Sequence, residues 1–297
     1  MRICLIVEER YRSQRMPMSV VGELRAQGHD LTVLEPQSTV SCLGDLASAG
    51  AGGFDAFVLK TVTDGPGQCL IEAAAACGLA TVNDARAIRL VRDKAVAAAM
   101  AQAHGVPFPK TYFLAQPELL AQVPARLYPL VVKPSDGSEG RGVRLVEHPA
   151  MARELVQSGE LGTGDTPGFL IAQPHQPNSG YDIKVYNAGG RIFAVRRPSP
   201  LGGTIEDDLP MPVSPELRRL VLRIGRVFGL DIYGVDVLET PSGWVAVDIN
   251  DFPSFSTVPQ AVTWVADAIV AAVRRRLARR LTPLRARWGM LPAEAAA

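Results

Sequence analysis

The chain has 297 residues, 47% of them hydrophobic and 21% charged, enough for one large domain or two to three small ones around a core that needs no staples. Its net charge of +1 leaves no global field to recruit nucleic acid or an anionic membrane, so neither is expected as a partner. The cysteines Cys4, Cys42, Cys69 and Cys77 are scattered without metal spacing, which fits free thiols in a reducing compartment and predicts a cytoplasmic protein.

Arg2–Val7 (RICLIV) is a continuous apolar run, the pattern of a buried parallel strand. It is too short and wrongly flanked for a signal peptide, and no apolar run in the chain is long enough to span a bilayer. A polar, basic loop is expected at Glu8–Arg15, then a helix over Val20–Ala26 stopped by Gly28. Strands at Leu31–Leu34, Phe57–Leu59 and Ala80–Val82 alternate with helical stretches, including an Ala-rich one at Gln68–Cys77, and so predict an open parallel α/β sheet. Such sheets bind ligands beyond the carboxyl ends of their strands, which places Glu8–Arg15 and Asn83–Asp84 near a cleft. No GxGxxG turn follows the first strand, against a dinucleotide site.

A helix over Ala85–His104 carries Lys94, and Gly105–Pro109 breaks the chain. Strands follow at Thr111–Leu114, Leu127–Lys133 and Val143–Val146. The last two flank the glycine loop Ser135–Gly142 and predict a small antiparallel lid. A helix is expected at Pro149–Gln157 and a strand at Phe169–Gln173, which runs into the proline-rich Pro174–Pro177. Asp182–Tyr186 and Arg191–Arg197 read as a hairpin, Gly202–Asp208 as a polar loop, Pro215–Phe228 as an amphipathic helix and Val262–Arg280 as a closing helix. Between these helices, Gly234–Thr257 reads as two short strands across a turn, with Asp236 in the first and Asp248 and Asn250 in the second.

A carboxylate inside an apolar strand is costly unless something pairs with it. Asp248 and Asn250 stand two apart and share a face, and Asp236 joins them if the hairpin pairs. Two carboxylates and a carboxamide are hard oxygen ligands, suited to Mg²⁺ with nucleotide phosphates; the plainer reading is a hairpin with its Asp residues at edge or turn positions. Lys133 ends a strand just before the glycine loop, whose backbone N–H groups can approach phosphates. Lys94 adds a second cation, and Lys184, Arg196 and Arg197 stand on the hairpin between. Cations, a metal site and a flexible lid are the parts of an ATP site. There is no GxxxxGK[ST] sequence, so the chain is not a P-loop protein.

From about Asn83 to Thr257 these residues resemble an ATP-grasp enzyme, and the preceding part resembles the domain that usually comes before that fold. The resemblance implies an α/β protein (α+β in the ATP-grasp part): an N-terminal parallel α/β domain over 1–88, a lid subdomain over 89–170 and a C-terminal subdomain with the metal site over 171–297. It implies ATP and Mg²⁺, with Mn²⁺ as an alternative. Lys94 and Lys133 would contact the phosphates under the lid residues Ser138, Glu139, Gly140, Arg141 and Gly142. Ile171, Gln173 and Pro174 would form the hinge at the adenine edge, with Ser199 also assigned to the nucleotide. Asp236, Asp248 and Asn250 would hold the metal. Lys184, Arg196 and Arg197 would be catalytic, one arginine stabilising an acyl phosphate and the other binding a substrate carboxylate.

Two branches of the family compete. The lid GSEGRGV and the stretch VNDARAIRLVRDKAVAAAMAQAHGVPFPKT resemble RimK-like and glutathione-synthetase-like ligases. KVYNAGGRIFAVRRPSP and VDINDFPSF resemble inositol polyphosphate kinases, although the lid lacks the histidine expected there, and Ser254 and Thr257 stand where both branches tend to carry glycine. Near-zero net charge, with Glu206, Asp207 and Asp208 close by, argues against a polyphosphate substrate. The expected function is therefore an ADP-forming ligase that joins a carboxylate to an amine (or thiol) on an amino acid, peptide or small metabolite, in a homo-oligomer. A nucleotide-binding module without turnover would need a degraded site, whereas both lysines and all three metal candidates are present.

Overall fold

The structure is a computed structural model, and it describes residues 1–44, 53–60, 65–135, 142–161, 168–199, 201 and 208–281. The apolar run Arg2–Val7 is strand β1, flanked in parallel by β2 (Asp30–Leu34) and β3 (Ala56–Lys60). With β4 (Ala80–Val82) they form a four-stranded sheet of order β2-β1-β3-β4. Its strands read as near-continuous apolar runs because both faces are covered. One face packs on α2 (Arg15–Ala26) and the C-terminal helix α8 (Ala261–Leu281), the other on α3 (Pro66–Ala76). The expected loop at Glu8–Arg15 instead holds a short helix, α1 (Glu9–Arg12), and α2 begins at Arg15. Its buried face needs Met16 and Pro17 as well as Val20, Val21 and Leu24.

The single helix expected over Ala85–His104 is two, α4 (Ala85–Arg92) and α5 (Lys94–Ala103). Asp93 separates them in an extended conformation and caps α5, its carboxylate accepting from Ala95 N at 2.9 Å and Val96 N at 3.1 Å. The lid sheet has the order β5-β8-β6-β7, from β5 (Tyr112–Leu114), β6 (Leu130–Pro134), β7 (Arg144–Val146) and β8 (Leu170–Pro174), all antiparallel. The strand expected from Leu127 starts only at Leu130, because a 3₁₀ turn at Ala125–Leu127 and Pro129 precede it. Helix α6 (Pro149–Gln157) lies against this sheet.

The third sheet is five-stranded and antiparallel, of order β11-β10-β9-β12-β13: β9 (Tyr181–Ala188), β10 (Arg191–Pro198), β11 (Leu209–Met211), β12 (Ile232–Thr240) and β13 (Gly243–Asn250). Helix α7 (Pro215–Phe228) packs its apolar stripe, Leu217, Leu220, Val221 and Ile224, on one face of it. Asn83 ties the two halves of the molecule together. Its amide donates to Ile232 O at 2.6 Å, while its carbonyl accepts from Asp231 N at 2.8 Å and Ile232 N at 2.9 Å. No described helix is long and apolar enough to cross a membrane.

Candidate active site

A cleft of about 680 Å³ lies where the three sheets meet. The N-terminal sheet contributes Tyr11 and Lys60, the lid sheet Lys133 and Gln173, and the third sheet Lys184 and Asp248.

Strand alternation builds the floor. On β9, Ile183 and Val185 point into the core under α7, so Asp182, Lys184 and Tyr186 point into the cleft. Register then carries the polarity across the sheet: Arg197 of β10 lies opposite Asp182, Asp236 of β12 opposite Lys184, and Asp248 of β13 opposite Asp236. Asn250 follows on the same side and lines the cleft. A bulge after Asp236 leaves Val247 without a partner residue on β12. The Val247 carbonyl then receives Lys133 Nζ at 3.0 Å, joining the lid sheet to the floor.

Cations and carboxylates interleave on this face. Lys94, in the first turn of α5, meets Asp248 at 2.6 Å; Lys184 meets Asp236 at 3.3 Å; Arg197 meets Asp208 at 3.4 Å. Burial pushes the Lys133 ammonium down to about 8, against the raising effect of Asp248. Burial would push the Asp248 carboxyl up, but Lys94 and Lys133 hold it below the usual carboxylate range. Burial and the neighbouring Asp236 push Asp182 up to about 6, opposed by Ser199 and Arg197. The buried Nε of Arg197 has no hydrogen-bond partner among the described residues. An orphaned buried donor on a cleft wall is a costly feature in the absence of a ligand.

Several residues singled out from the sequence meet here: Lys94, Lys133, Gln173, Pro174, Lys184, Arg197, Ser199, Asp236, Asp248 and Asn250 all line the cleft. Gln173 is buried, and its amide donates to Thr111 Oγ1 at 2.8 Å, so that side chain is already engaged within the protein. Three of the singled-out residues that the structure describes, Ile171, Arg196 and Gly142, are not on the cleft wall. Ile171 is buried and absent from the cleft wall, although it shares the face of Gln173 two residues on along β8. Arg196 alternates with Arg197 and lies exposed, its guanidinium 4.3 Å over the Tyr181 ring. Gly142 closes the lid loop at φ +72°, where a Cβ would press on the Pro134 ring at 2.9 Å. Ser138, Glu139, Gly140 and Arg141 lie outside the described residues.

Sequence reasoning missed three features of the wall. Asp182 shares the period-2 face of Lys184, a signal that was available. Lys60 is the charged end of the apolar run Ala56–Lys60, at the carboxyl end of a parallel strand. Arg92 pairs bidentately with Asp251, Nε and a terminal nitrogen each at 2.9 Å from a carboxylate oxygen. That contact is long-range and leaves no local pattern.

No three His, Cys, Asp or Glu side chains gather into a metal cluster among the described residues. The donor set of Asp236, Asp248 and Asn250 is two carboxylates and a carboxamide, an incomplete hard-oxygen shell that fits Mg²⁺ only with further oxygens from phosphates and water. The lysines around it supply the charge that those phosphates would need.

The model of the RimK-like ATP-grasp domain family matches residues 91–273, and the chain belongs to that family. The class so defined is an ATP-dependent carboxylate–amine ligase that releases ADP. A probable alpha-L-glutamate ligase of Thioalkalivibrio sulfidiphilus is 27% identical over 259 residues, covering 80% of this chain and 83% of that protein. Among solved structures, a RimK domain ATP-grasp protein of Sphaerobacter thermophilus superposes with a TM-score of 0.66 at 23% identity, covering 91% of this chain and 100% of that one. The ATP-grasp ligase PsnB, complexed with a minimal precursor, Mg and ADP, superposes with a TM-score of 0.68 at 20% identity, covering 92% of this chain and 98% of that one.

Proposed function

We propose that this protein joins a carboxylate of a small molecule or peptide to the amine of an amino acid, through an acyl phosphate. The observation that carries this reading is the half-buried face on which Lys94, Lys133, Lys184 and Arg197 surround Asp236, Asp248 and Asn250. Lys94 and Lys133 bind the ATP phosphates. The hinge of β8 borders the adenine at Gln173 and Pro174, and Ser199 lies on the nucleotide side. Ser138 to Gly142 cover the phosphates. Asp236, Asp248 and Asn250 hold Mg²⁺, or Mn²⁺ in its place, which when bound neutralises phosphate charge.

The substrate carboxylate oxygen attacks the γ-phosphorus and ADP leaves. The amine then attacks the carbonyl carbon, and phosphate departs with the carboxylate oxygen. Arg197 and Lys184 stabilise the charge of the phosphoryl group in flight, since both reach the cleft from adjacent strands. Arg197 is the arginine for this task, and Arg196 is free of it. Lys94, now paired with Asp248, would hold the phosphates, and Asp248 would then be available to the metal. The free cysteines fit a reducing, cytoplasmic setting. Phosphorus NMR on Mg-ATP with pooled carboxylates and amines tests the reading. Orthophosphate and ADP should accumulate only when both pools are present, and a stable phosphoester would overturn it.

A further inference from the structure

We propose that Lys60 is a substrate-binding residue: its ammonium, at the carboxyl end of β3, takes a substrate carboxylate other than the one that is phosphorylated. The substrate pair then includes a dicarboxylate or an acidic amino acid. This rests on the ligase reading and adds the anionic group by which a substrate is recognised.

Lys60 is 4% exposed yet lines the cleft. An ammonium has three donors to satisfy. One goes to Phe252 O at 2.6 Å, and the Tyr11 and Phe252 rings stand 4.5 Å and 5.4 Å from Nζ. No described carboxylate pairs with it. The nearby Asp251 is already held bidentately by Arg92, and Glu8, on the next strand end, accepts from Gly67 N at 2.7 Å and from the Gln37 amide. Four other cleft cations have carboxylates: Lys94, Lys184, Arg92 and Arg197 each pair with an aspartate. Lys133 and Lys60 are the two buried lysines of the cleft whose hydrogen bond among the described residues goes to a backbone carbonyl and not to a carboxylate. Lys133 is assigned to phosphate under the lid. Lys60 is its counterpart at the N-terminal sheet, and a buried cation without an anion is stable only if the site supplies one.

The loop beneath it is shaped for the same purpose. Phe252 and Phe255 are both buried and both left-handed, at φ 57° and 54°, a conformation that is strained for a bulky residue. The Phe252 carbonyl is thereby delivered to Lys60, and Ser254 and Ser256 are left on the cleft wall beside it. A carboxylate at Lys60 would have hydroxyl donors within the same wall.

Trace acetylation of the full chain at pH 8, read peptide by peptide by mass spectrometry, tests this. Mg-ATP alone should slow labelling of Lys133 and leave Lys60 unchanged. Succinate or L-glutamate, added with Mg-ATP, should slow Lys60 labelling about tenfold, whereas succinamide should not. Protection by both acids assigns the carboxylate to the acceptor. Protection by L-glutamate alone assigns it to the amine donor. Lys60 labelling that no carboxylate changes, while Lys133 is protected, overturns the proposal; Lys133 unprotected by Mg-ATP overturns the ligase reading instead.

Lys60→Met should raise KM for the protecting acid about 10- to 100-fold, the range of a charge-assisted hydrogen bond, with KM for ATP unchanged and partial recovery in Lys60→Arg. A fall in kcat at unchanged KM would make Lys60 a strap for the Phe252 carbonyl and nothing more, and would refute the assignment.

Discussion

Two of the three sheets that meet at the cleft bury charge in opposite ways. The antiparallel sheet alternates sign along its polar face, so that Lys184 faces Asp236 on the next strand and Asp248 receives Lys94 from α5. The parallel sheet ends in a single ammonium, Lys60, whose described partners are one carbonyl and two aromatic faces. A paired face is self-sufficient before ligand arrives and exchanges partners when phosphate enters. An unpaired cation is a receptor already desolvated, held in place by the core around it. The first arrangement suits a metal nucleotide whose charge must be matched at several points, and the second suits one anionic group on one substrate.

The comparison can be broken from either side. On the paired face, Asp248→Asn should have the largest effect: turnover of Mg-ATP falls at least about 100-fold, while thermal unfolding moves by only a few degrees. Equal loss of activity and fold would remove Asp248 from the metal site. Lys133→Ala should raise KM for ATP about 10- to 100-fold, as loss of a buried charge-assisted contact does, and an unchanged ATP requirement would contradict its role. The arginines of β10 give a sharper contrast. Arg197→Ala should lower kcat by about tenfold or more, and Arg196→Ala by less than about twofold, because only Arg197 lines the cleft. Comparable losses from both would show that strand alternation does not govern the site.

On the unpaired side the expected effect appears in stability. Burial holds the Lys60 ammonium at about 8, against 10.5 for a free lysine. Below pH 8 both folded and unfolded states carry the proton. Between pH 8 and 10.5 the unfolded chain binds more protons than the native one, so stability owed to this group rises with pH. Relative to Lys60→Met, the wild type should therefore gain about 2 kcal/mol between pH 8 and 10 in denaturant melts. Parallel curves for the two proteins would mean that Lys60 is solvated.

Much of this was legible in the sequence, for local reasons. The apolar run Arg2–Val7, the helices Pro149–Gln157 and Pro215–Phe228 and the facing strands around Asp236 and Asp248 are set by periodicity and caps, and the structure has them as read. Helical periodicity over Ala85–His104 hides the break at Asp93, although an Asp is a better cap than a helix interior, and it starts α5 and so aims Lys94 at Asp248. Arg196 and Arg197 were inseparable until the register of β9 and β10 fixed which one faces inward. Lys60 carried a single weak signal, a charge at a strand end. Its importance comes from Phe252, 192 positions away in the chain.

Oxygen transfer tests the ligase account most directly. Mg-ATP turnover should be run with a pool of carboxylates labelled with ¹⁸O in the carboxyl group and unlabelled amines, and the released orthophosphate examined by phosphorus NMR. An acyl phosphate intermediate requires one ¹⁸O atom to pass from the carboxylate into each phosphate formed. Orthophosphate free of ¹⁸O, or label retained in a phosphoester, would contradict it.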